Sequence, residues 1–401
     1  MHLNNKFSLK SAFCKDIPDF RHAIFDSVKL LNHEHWEEVN EGQLYLSIPY
    51  LEALEQTMEG DMEFRYVIFY CEEYQPLGIA YFQLVDLVDN GSKYRDAVQK
   101  LGKGIGSYIV KEMKVRTIVN GNVFQCGRFG YQFQDKVPHE AALAAVEETM
   151  DRFRRTKEHR GKASIVLFKE FAPNEFNVSD CLLSKRYHMF RMDVNMVMDI
   201  NTSWKNLEDY EEAITSKSRT RLKSILKKSD AIEVRDMDVE EIAKYADRIN
   251  ELFQQVLEKS SFKFGELKSE IYVAWKNTLK EKLIFKGFFE NEVMIGFNSA
   301  FVHEDYLDAH YVGIDYEKNE QFSLYQRMLV ELLCDAIHLG MKQLIMGRTA
   351  EQAKSTLGAY PVDMRLYTKH RNALANKLIA PVLASVKPSE FETRNPFKKV
   401  G

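Results

Sequence analysis

Cysteine is scarce in this chain of 401 residues. There are five, at Cys14, Cys71, Cys126, Cys181 and Cys334. They are odd in number, widely spaced and never form a Cys-x-x-Cys pair. That excludes a dense disulfide framework and a cysteine zinc site, and no metal site is expected. Long hydrophobic runs are missing as well. No uncharged stretch reaches the ~18 residues of a spanning helix, and MHLNNKFSLKSAFCKDIPDF at the start lacks the apolar centre of a secretory leader. The expectation is a cytoplasmic protein, with peripheral contact at the inner face of an anionic membrane left open. A basic excess is absent too: the formal net charge is -4. Bulk charge therefore carries no nucleic-acid signature, and any anion-binding patch has to be local.

What the chain does have is core-forming material. Hydrophobic residues make up 45% and aromatics 12%, and the length exceeds the ~100–200 residues of one ordinary domain, so two filled cores are expected. Hydrophobic periodicity organises them. In the first half, FRHAIFDSVKLLNHEH and IPYLEALEQTM read as helices and FRYVIFYCEEYQPLGIAYFQLVDL as a hairpin. VRTIVNGNVFQCG reads as a strand entering a glycine-bearing turn. PHEAALAAVEETMDRFRRTKEHRG is an amphipathic helix with Leu143, Val146, Met150 and Phe153 on one face and Gly161 as its stop. KASIVLFKEF follows as a strand, NVSDCLLSKRY as a short helix and MFRMDVNMVMDI as one alternating strand.

The second half repeats that order. EEIAKYADRINELFQQVLEKS and SEIYVAWKNTLKEKL are helices, and LIFKGFFENEVMIGFNSAFVHEDYLDAHYVGIDYE holds three strands. SLYQRMLVELLCDAIHLG is a long buried helix with Leu324, Met328, Leu332 and Ile337 inward and Gly340 as cap. KQLIMG is a strand, TAEQAKSTLG a short helix and VDMRLYTKH a strand. The likeness is clearest in the hairpins YCEEYQPLGIAYFQ and FFENEVMIGFNSAF, each with an acidic turn and then a glycine that suits close packing. The halves meet near 200–215, which gives expected domains 1–205 and 206–401, each an α/β unit with a mixed sheet.

A hairpin whose second strand opens on an apolar residue and glycine, followed by strand, turn and long helix, resembles the GNAT acyltransferase fold, and it occurs twice. Within 200–370 the resemblance narrows to Fem-type peptidyltransferases and related acyltransferases with two GNAT-like domains. It rests on SKSRTRLKSILKKS (216–229), HYVGIDYEKNEQFSLYQRMLVELLCDAIHLGMKQLIMGRT and GRTAEQAKSTLGAYP (347–361). Over 1–200 it rests on topology and the hairpin. The resemblance implies two tandem GNAT-like domains and transfer of an acyl group to an amino group of a small-molecule, lipid or cell-wall precursor. The donor it implies is acyl-CoA or an acyl carrier protein, used as a substrate and not held as a permanent cofactor. Aminoacyl transfer from charged tRNA and a non-catalytic, degenerate binding module are the alternatives, and nucleic acid is a partner only under the first of these.

The chain departs from the GNAT pattern at one place. That pattern puts a Gln/Arg-x-x-Gly-x-Gly/Ala loop before the long helix, where backbone N–H groups hold the CoA diphosphate. The second half has DYEKNEQFSLYQ there, without a glycine pair. The first half has FQCGRFGYQFQDKVPHE, in which Cys126, Gly127, Arg128 and Gly130 are the candidate cofactor-binding residues. QKLGKGIG, Gln99 to Gly106, matches the spacing letter for letter but follows a polar stretch and not a strand end.

Acylating an amine needs a neutral nucleophile, donors for an oxyanion and an acid for the leaving group. On DAHYVGID, Asp308 and His310 share a face by alternation, and an Asp–His pair can orient an imidazole base. Tyr311 and Asp315 lie on or just after that strand, and Tyr325 opens the long helix as a candidate proton donor. The same residues read equally as polar positions of a surface strand and a core tyrosine. Arg348 ends the next strand, Thr349 can cap the helix beyond it, and Glu351 and Lys354 lie within one turn. That set reads as a substrate clamp for phosphate or carboxylate, or as a capped helix with a local salt bridge. Helix 216–229 carries Lys217, Arg219, Arg221, Lys223, Lys227 and Lys228. It is a solvated face or a site for a polyanionic acceptor, an anionic membrane or tRNA. HRNALANKLIAPVLASVKP reads as a helix docked on its domain or lying at a membrane interface. The long helix between DAHYVGID and QLIMG is expected to make a right-handed crossover that sets those two strands side by side.

Overall fold

The computed structural model describes residues 20–87, 115–156, 163–259, 267–386 and 390–398. Cys14, Gly161 and the QKLGKGIG stretch lie outside them. The chain begins with β1 Arg21–Phe25, α1 His33–Asn40, α2 Ile48–Thr57, β2 Glu63–Tyr70, β3 Pro76–Leu87, β4 Val115–Asn120 and β5 Tyr131–Phe133. Then come α3 His139–Arg155, β6 Ala163–Phe171, α4 Phe176–Ser179, α5 Cys181–Ser184 and β7 His188–Phe190. It continues through β8 Asn195–Asp199, α6 Leu207–Ala213, α7 Ser216–Lys228, β9 Glu233–Asp236, α8 Val239–Lys244, α9 Ala246–Lys259 and α10 Glu270–Leu279. β10 Leu283–Glu290, β11 Val293–Val302, β12 Tyr306–Ile314, α11 Tyr316–Phe322 and α12 Leu324–His338 follow. The last elements are β13 Gln343–Gly347, α13 Glu351–Ser355, β14 Tyr360–Val362, β15 Arg365–His370 and α14 Ala373–Ser385.

These elements form two compact α/β units. The sheet of the first runs β1-β2-β3-β4-β6-β15-β7, with β5 also paired to β3. The sheet of the second runs β14-β8-β13-β12-β11-β10-β9. Each sheet holds one parallel pair, β4 with β6 and β12 with β13, among antiparallel neighbours. A long helix, α3 or α12, connects the members of each pair, so the expected neighbourhood of DAHYVGID and QLIMG is found.

The expected cut at 205/206 is not where the units divide. The first unit ends at Met192, and the chain returns to it from Met364. β7 and β8, read as one alternating strand, are two strands in two sheets: β7 pairs with β15, whereas β8 pairs with β13 and β14. The break falls at 191–194, where Arg191 and Asp193 interrupt the apolar pattern. β8 is buried on both sides from Asn195 to Met198, as an interior strand must be. β15, expected in the second domain, lies between β6 and β7 in the first. A second correction concerns FRHAIFDSVKLLNHEH, which is a strand and then a helix. β1 pairs with β2, and α1 begins only after Asn32, whose side chain caps it by accepting from the His35 N–H.

The hairpins follow from local chemistry. β10 and β11 join through Asn291 and Glu292, both at positive φ (48° and 63°), the turn whose twist matches the strands. The repeated glycine is a packing device in both units. A Cβ on Gly78 would stand 2.3 Å from the Phe133 ring, and one on Gly296 would stand 2.3 Å from the Met328 methyl. In the first core, Leu143, Val146, Met150 and Phe153 of α3 pack with Phe82, Ile118 and Phe168. In the second, Leu329, Leu332, Leu333 and Ile337 of α12 pack with Met196, Met198, Leu307 and Leu344. The terminal helix α14 docks on β7 and β15, leaving Leu374 and Leu378 exposed. Among the described residues, no helix is long and apolar enough to cross a membrane.

Candidate active site

The sheet of the second unit comes apart at one point. β12 pairs with β13 only through Tyr306–Gln343, Leu307–Leu344 and Asp308–Ile345, yet β12 continues to Ile314. β13 ends at Gly347, whose Cβ would lie 4.0 Å from the Ala309 carbonyl oxygen. The chain then turns away through Thr349 and Ala350, at φ 62° and 52°. A left-handed Thr is a strained conformation of the kind that gathers at ligand sites. The other edge of β12 is irregular as well. Asn298 faces Val312 and Ala300 faces Ala309, so His310 and Tyr311 together oppose the single residue Ser299. The buried Ser299 hydroxyl accepts from the Tyr311 N–H at 3.2 Å and donates to the Tyr311 carbonyl at 3.1 Å. Nothing in the sequence singled Ser299 out; a serine in an apolar strand opposite a bulge is visible only with the register known.

His310 sits on this bulge in a box of rings. Ring centroids of Tyr311, Phe301, Trp275 and Tyr272 lie 4.3, 5.2, 5.7 and 5.9 Å from the imidazole. The Tyr272 hydroxyl is 3.3 Å from His310 Nδ1. Asp308 is buried and lies opposite Phe301, so it shares the imidazole's face of the sheet, as alternation requires. Tyr311 sets its own ring against Phe253 of α9. Tyr325, in the first turn of α12, has its hydroxyl pushed well above the usual tyrosine range by burial, reinforced by Tyr316 and Glu351. It therefore stays protonated at neutral pH. Asp315 does something else. It caps α11 by accepting from the Glu317 N–H at 3.1 Å and forms a 3.0 Å ion pair with Arg248. That is the work of a structural anchor, not of the reacting group it was expected to be.

At the end of β13 the expected clamp separates into parts. Arg348 and Glu351 are half-buried there. Lys354 is buried, and its ammonium donates to the carbonyls of Arg348 at 2.6 Å and Gly347 at 3.2 Å. It fastens the strained turn from beneath and does not present a point charge to a ligand. Thr349 does not cap α13; Ala350 stands at that cap without a side-chain bond. The place of the missing glycine loop is taken by α11, which runs to Ser323 at the start of α12.

The first unit fills its corresponding gap. β4 leaves β6 after Asn120, and residues 121–130 loop across before β5 pairs with β3. The buried Lys169 donates to the carbonyls of Asn122 (2.7 Å) and Gln125, and Tyr50 accepts from the amides of Asn122 and Gln125. The Gly127 N–H, expected to meet a phosphate, donates to Glu170 at 2.7 Å. Arg128 pairs with Glu175, and its guanidinium lies over the Tyr131 ring. A Cβ on Gly130 would strike the Gly121 nitrogen at 2.5 Å, so this glycine is required by packing. Cys126 is half-buried in the same loop. The loop thus precedes a strand rather than the long helix, and an internal carboxylate holds its N–H; these four residues do not form the expected cofactor loop.

No protein-family model matches the chain, and no curated protein matches its sequence. Solved structures do match. FemX is similar over 89% of this chain and 100% of its own, at 11% identity and a TM-score of 0.51. A tandem GNAT protein from the clavulanic acid biosynthesis pathway is similar over 88% and 99%, at 8% identity and a TM-score of 0.50. At such identities the likeness is one of architecture. Two mixed α/β units, each with its parallel pair bridged by a long helix, give this chain the tandem GNAT fold.

Proposed function

We propose that the chain is an N-acyltransferase whose reaction takes place in the second unit, where β12 and β13 part. The observation that carries this reading is that separation, with His310 on the bulge beside it. A strand edge released from its neighbour offers backbone N–H groups to a carbonyl oxygen that becomes negative as an amine attacks. The amine nitrogen attacks the thioester carbonyl, the C–S bond breaks as the C–N bond forms, and the amine loses one proton while the thiolate gains one. His310 takes the first proton, directly or through one water, with Tyr272 orienting its ring. Tyr325, kept protonated by burial, is the group suited to return a proton to sulfur. Arg348 holds a carboxylate or phosphate of donor or acceptor. The filled gap of the first unit, bonded internally through Lys169 and Glu170, supports reading that unit as non-catalytic.

The test is direct. Purified protein is incubated with acyl-CoA of several chain lengths, with acyl carrier protein and with amine acceptors, and acylated product is read by mass spectrometry. His310→Asn is expected to lower turnover ~100-fold or more without loss of fold. Absence of thermal stabilisation by every acyl donor sinks the reading. Transfer from aminoacyl-tRNA is a second reading, favoured by the basic residues along α7; steeply salt-dependent tRNA binding distinguishes it.

A further inference from the structure

We propose that α14 lies on the surface of an anionic lipid bilayer and inserts an apolar row among the headgroups. Asn376 fastens this helix to its unit. It is buried, and its side-chain amide donates to the Arg186 carbonyl at 2.9 Å and accepts from the His370 N–H at 2.8 Å. Its own backbone carbonyl accepts from His188 Nε2 at 2.7 Å. These bonds set the rotation of the helix about its axis. Residues two places before and two places after Asn376 stand about 200° around the axis from it, so Leu374 and Leu378 are turned outward. They are 68% and 64% exposed, more than any other large apolar side chain among the described residues. Pro381 extends the row by one turn and is exposed, as is Lys377 beside it. A surface helix ordinarily turns its leucines toward its own core. In α14 only Leu383 is buried, and a hydrogen-bonded amide holds the inner face while two leucines stand outside.

Charge selects the occupant. From Met364 to Ser389 the sequence holds no Asp or Glu, although the whole chain carries -4. Arg365 and Lys369 of that stretch pair with Asp180 and Glu147. Arg371 and Lys377, on either side of Leu374 in the chain, are exposed and have no acidic partner among the described residues. Apolar side chains between exposed cations suit a headgroup layer, where the leucines meet the acyl boundary and the cations meet lipid phosphates. A second copy of the chain fits this face badly, because a two-fold contact sets the same cations against each other. α7 is also basic, but Leu222 and Ile225 are buried and none of its large apolar side chains is exposed, so it has charge without a row to insert. With 13 residues, α14 is about 20 Å long, short of the ~30 Å of a bilayer core. It therefore lies along the interface. The proposal does not depend on acyl transfer at β12.

Co-sedimentation of the full chain with lipid vesicles tests it. Reversible binding is expected to vesicles of equimolar phosphatidylglycerol and phosphatidylcholine, and roughly tenfold or more weaker binding to phosphatidylcholine alone. Leu374→Ser/Leu378→Ser is expected to weaken binding to the anionic vesicles roughly tenfold or more, and Arg371→Gln/Lys377→Gln by a similar factor. The control, Leu30→Ser/Val293→Ser, removes two other exposed apolar side chains and is expected to change binding less than about twofold, as scattered surface apolar residues do. A Leu378→Trp variant reads insertion directly. Trp36, Trp204 and Trp275 are buried, so new emission quenched by brominated acyl chains comes from the row. Circular dichroism and melting establish that each variant is folded. Four results overturn the proposal: no preference for anionic vesicles, binding unchanged in Leu374→Ser/Leu378→Ser, binding lost instead in Lys217→Gln/Lys228→Gln of α7, or a chain that ignores vesicles and dimerises through α14 in sedimentation velocity.

Discussion

The hydroxyl of Ser299 holds both the N–H and the carbonyl of Tyr311, at 3.2 and 3.1 Å. One side chain thus spans the bulge on which His310 sits. Ser299→Ala removes both bonds from a buried strand pair and is expected to cost ~1–3 kcal/mol, read as a lower urea midpoint. Acyl transfer should fall further than stability, because a bulge that relaxes turns His310 toward a different face. Unchanged turnover in a folded Ser299→Ala variant separates the bulge from the chemistry.

Arg348 and Lys354 belong to one turn but should respond differently to substitution. Arg348→Lys keeps the charge and loses the bidentate fork. It is expected to cut turnover or ligand affinity roughly tenfold with little change in melting temperature. Lys354→Met withdraws a buried ammonium from two carbonyls and is expected to destabilise the fold by ~1.5–3 kcal/mol. Calorimetric melting of the two variants side by side decides the matter: a large stability loss in Arg348→Lys moves that residue to the structural side.

Those two residues also mark the limits of reading this chain from its letters. The long helices were legible because Leu143, Val146, Met150 and Phe153, and likewise Leu324, Met328, Leu332 and Ile337, repeat at helical spacing and are buried as a set. The β12–β13 neighbourhood was legible because crossover handedness leaves few choices. That neighbourhood brings Asp308 and His310 of β12 near the end of β13, whereas Ser299, Tyr272 and Trp275 around them could not be picked out of the sequence. Lys354 was not, because a lysine on a short polar helix has the same local pattern whether it points to water or to a carbonyl beneath it. Nor were the partners of β8 and β15, since pairing between strands far apart in sequence leaves no periodic trace in either one.

Arg128 in the first unit is a clear case for a null effect on ligands. Arg128→Ala breaks its pairing with Glu175 and its packing on Tyr131. Lower thermal stability with unaltered acyl-CoA affinity is the expected result. Weakened affinity in the folded variant would show that residues 121–130 touch the donor after all.

Acid should loosen both units through histidines that fold in their neutral form. Burial, followed by a nearby cation, lowers the pKa of His22 and of His303 from 6.5 to about 4; the cations are Arg152 and Lys282 respectively. Between those values the unfolded chain binds more protons than the folded one, so stability rises with pH. The contribution of these rings is complete above pH ~6.5 and is lost as pH falls toward 4. Urea midpoints measured from pH 7 to 4.5 are expected to drop. The drop should be shallower in His22→Gln/His303→Gln, and an identical slope in that double variant refutes the assignment.

The placement of β15 sets a clock on biosynthesis. When β7 has left the ribosome, the sheet of the first unit still lacks the strand that belongs between β6 and β7, which is made roughly 175 residues later. At ~5–20 residues per second the nascent chain waits on the order of ten to thirty seconds with two facing strand edges unsatisfied. β8, the next strand to emerge, is the nearest candidate to fill that slot wrongly, and it must be kept for the other sheet. A chain built this way depends on holding an incomplete sheet open during translation, so the quality of its folding is expected to vary with synthesis rate and with the supply of chaperones that shield strand edges.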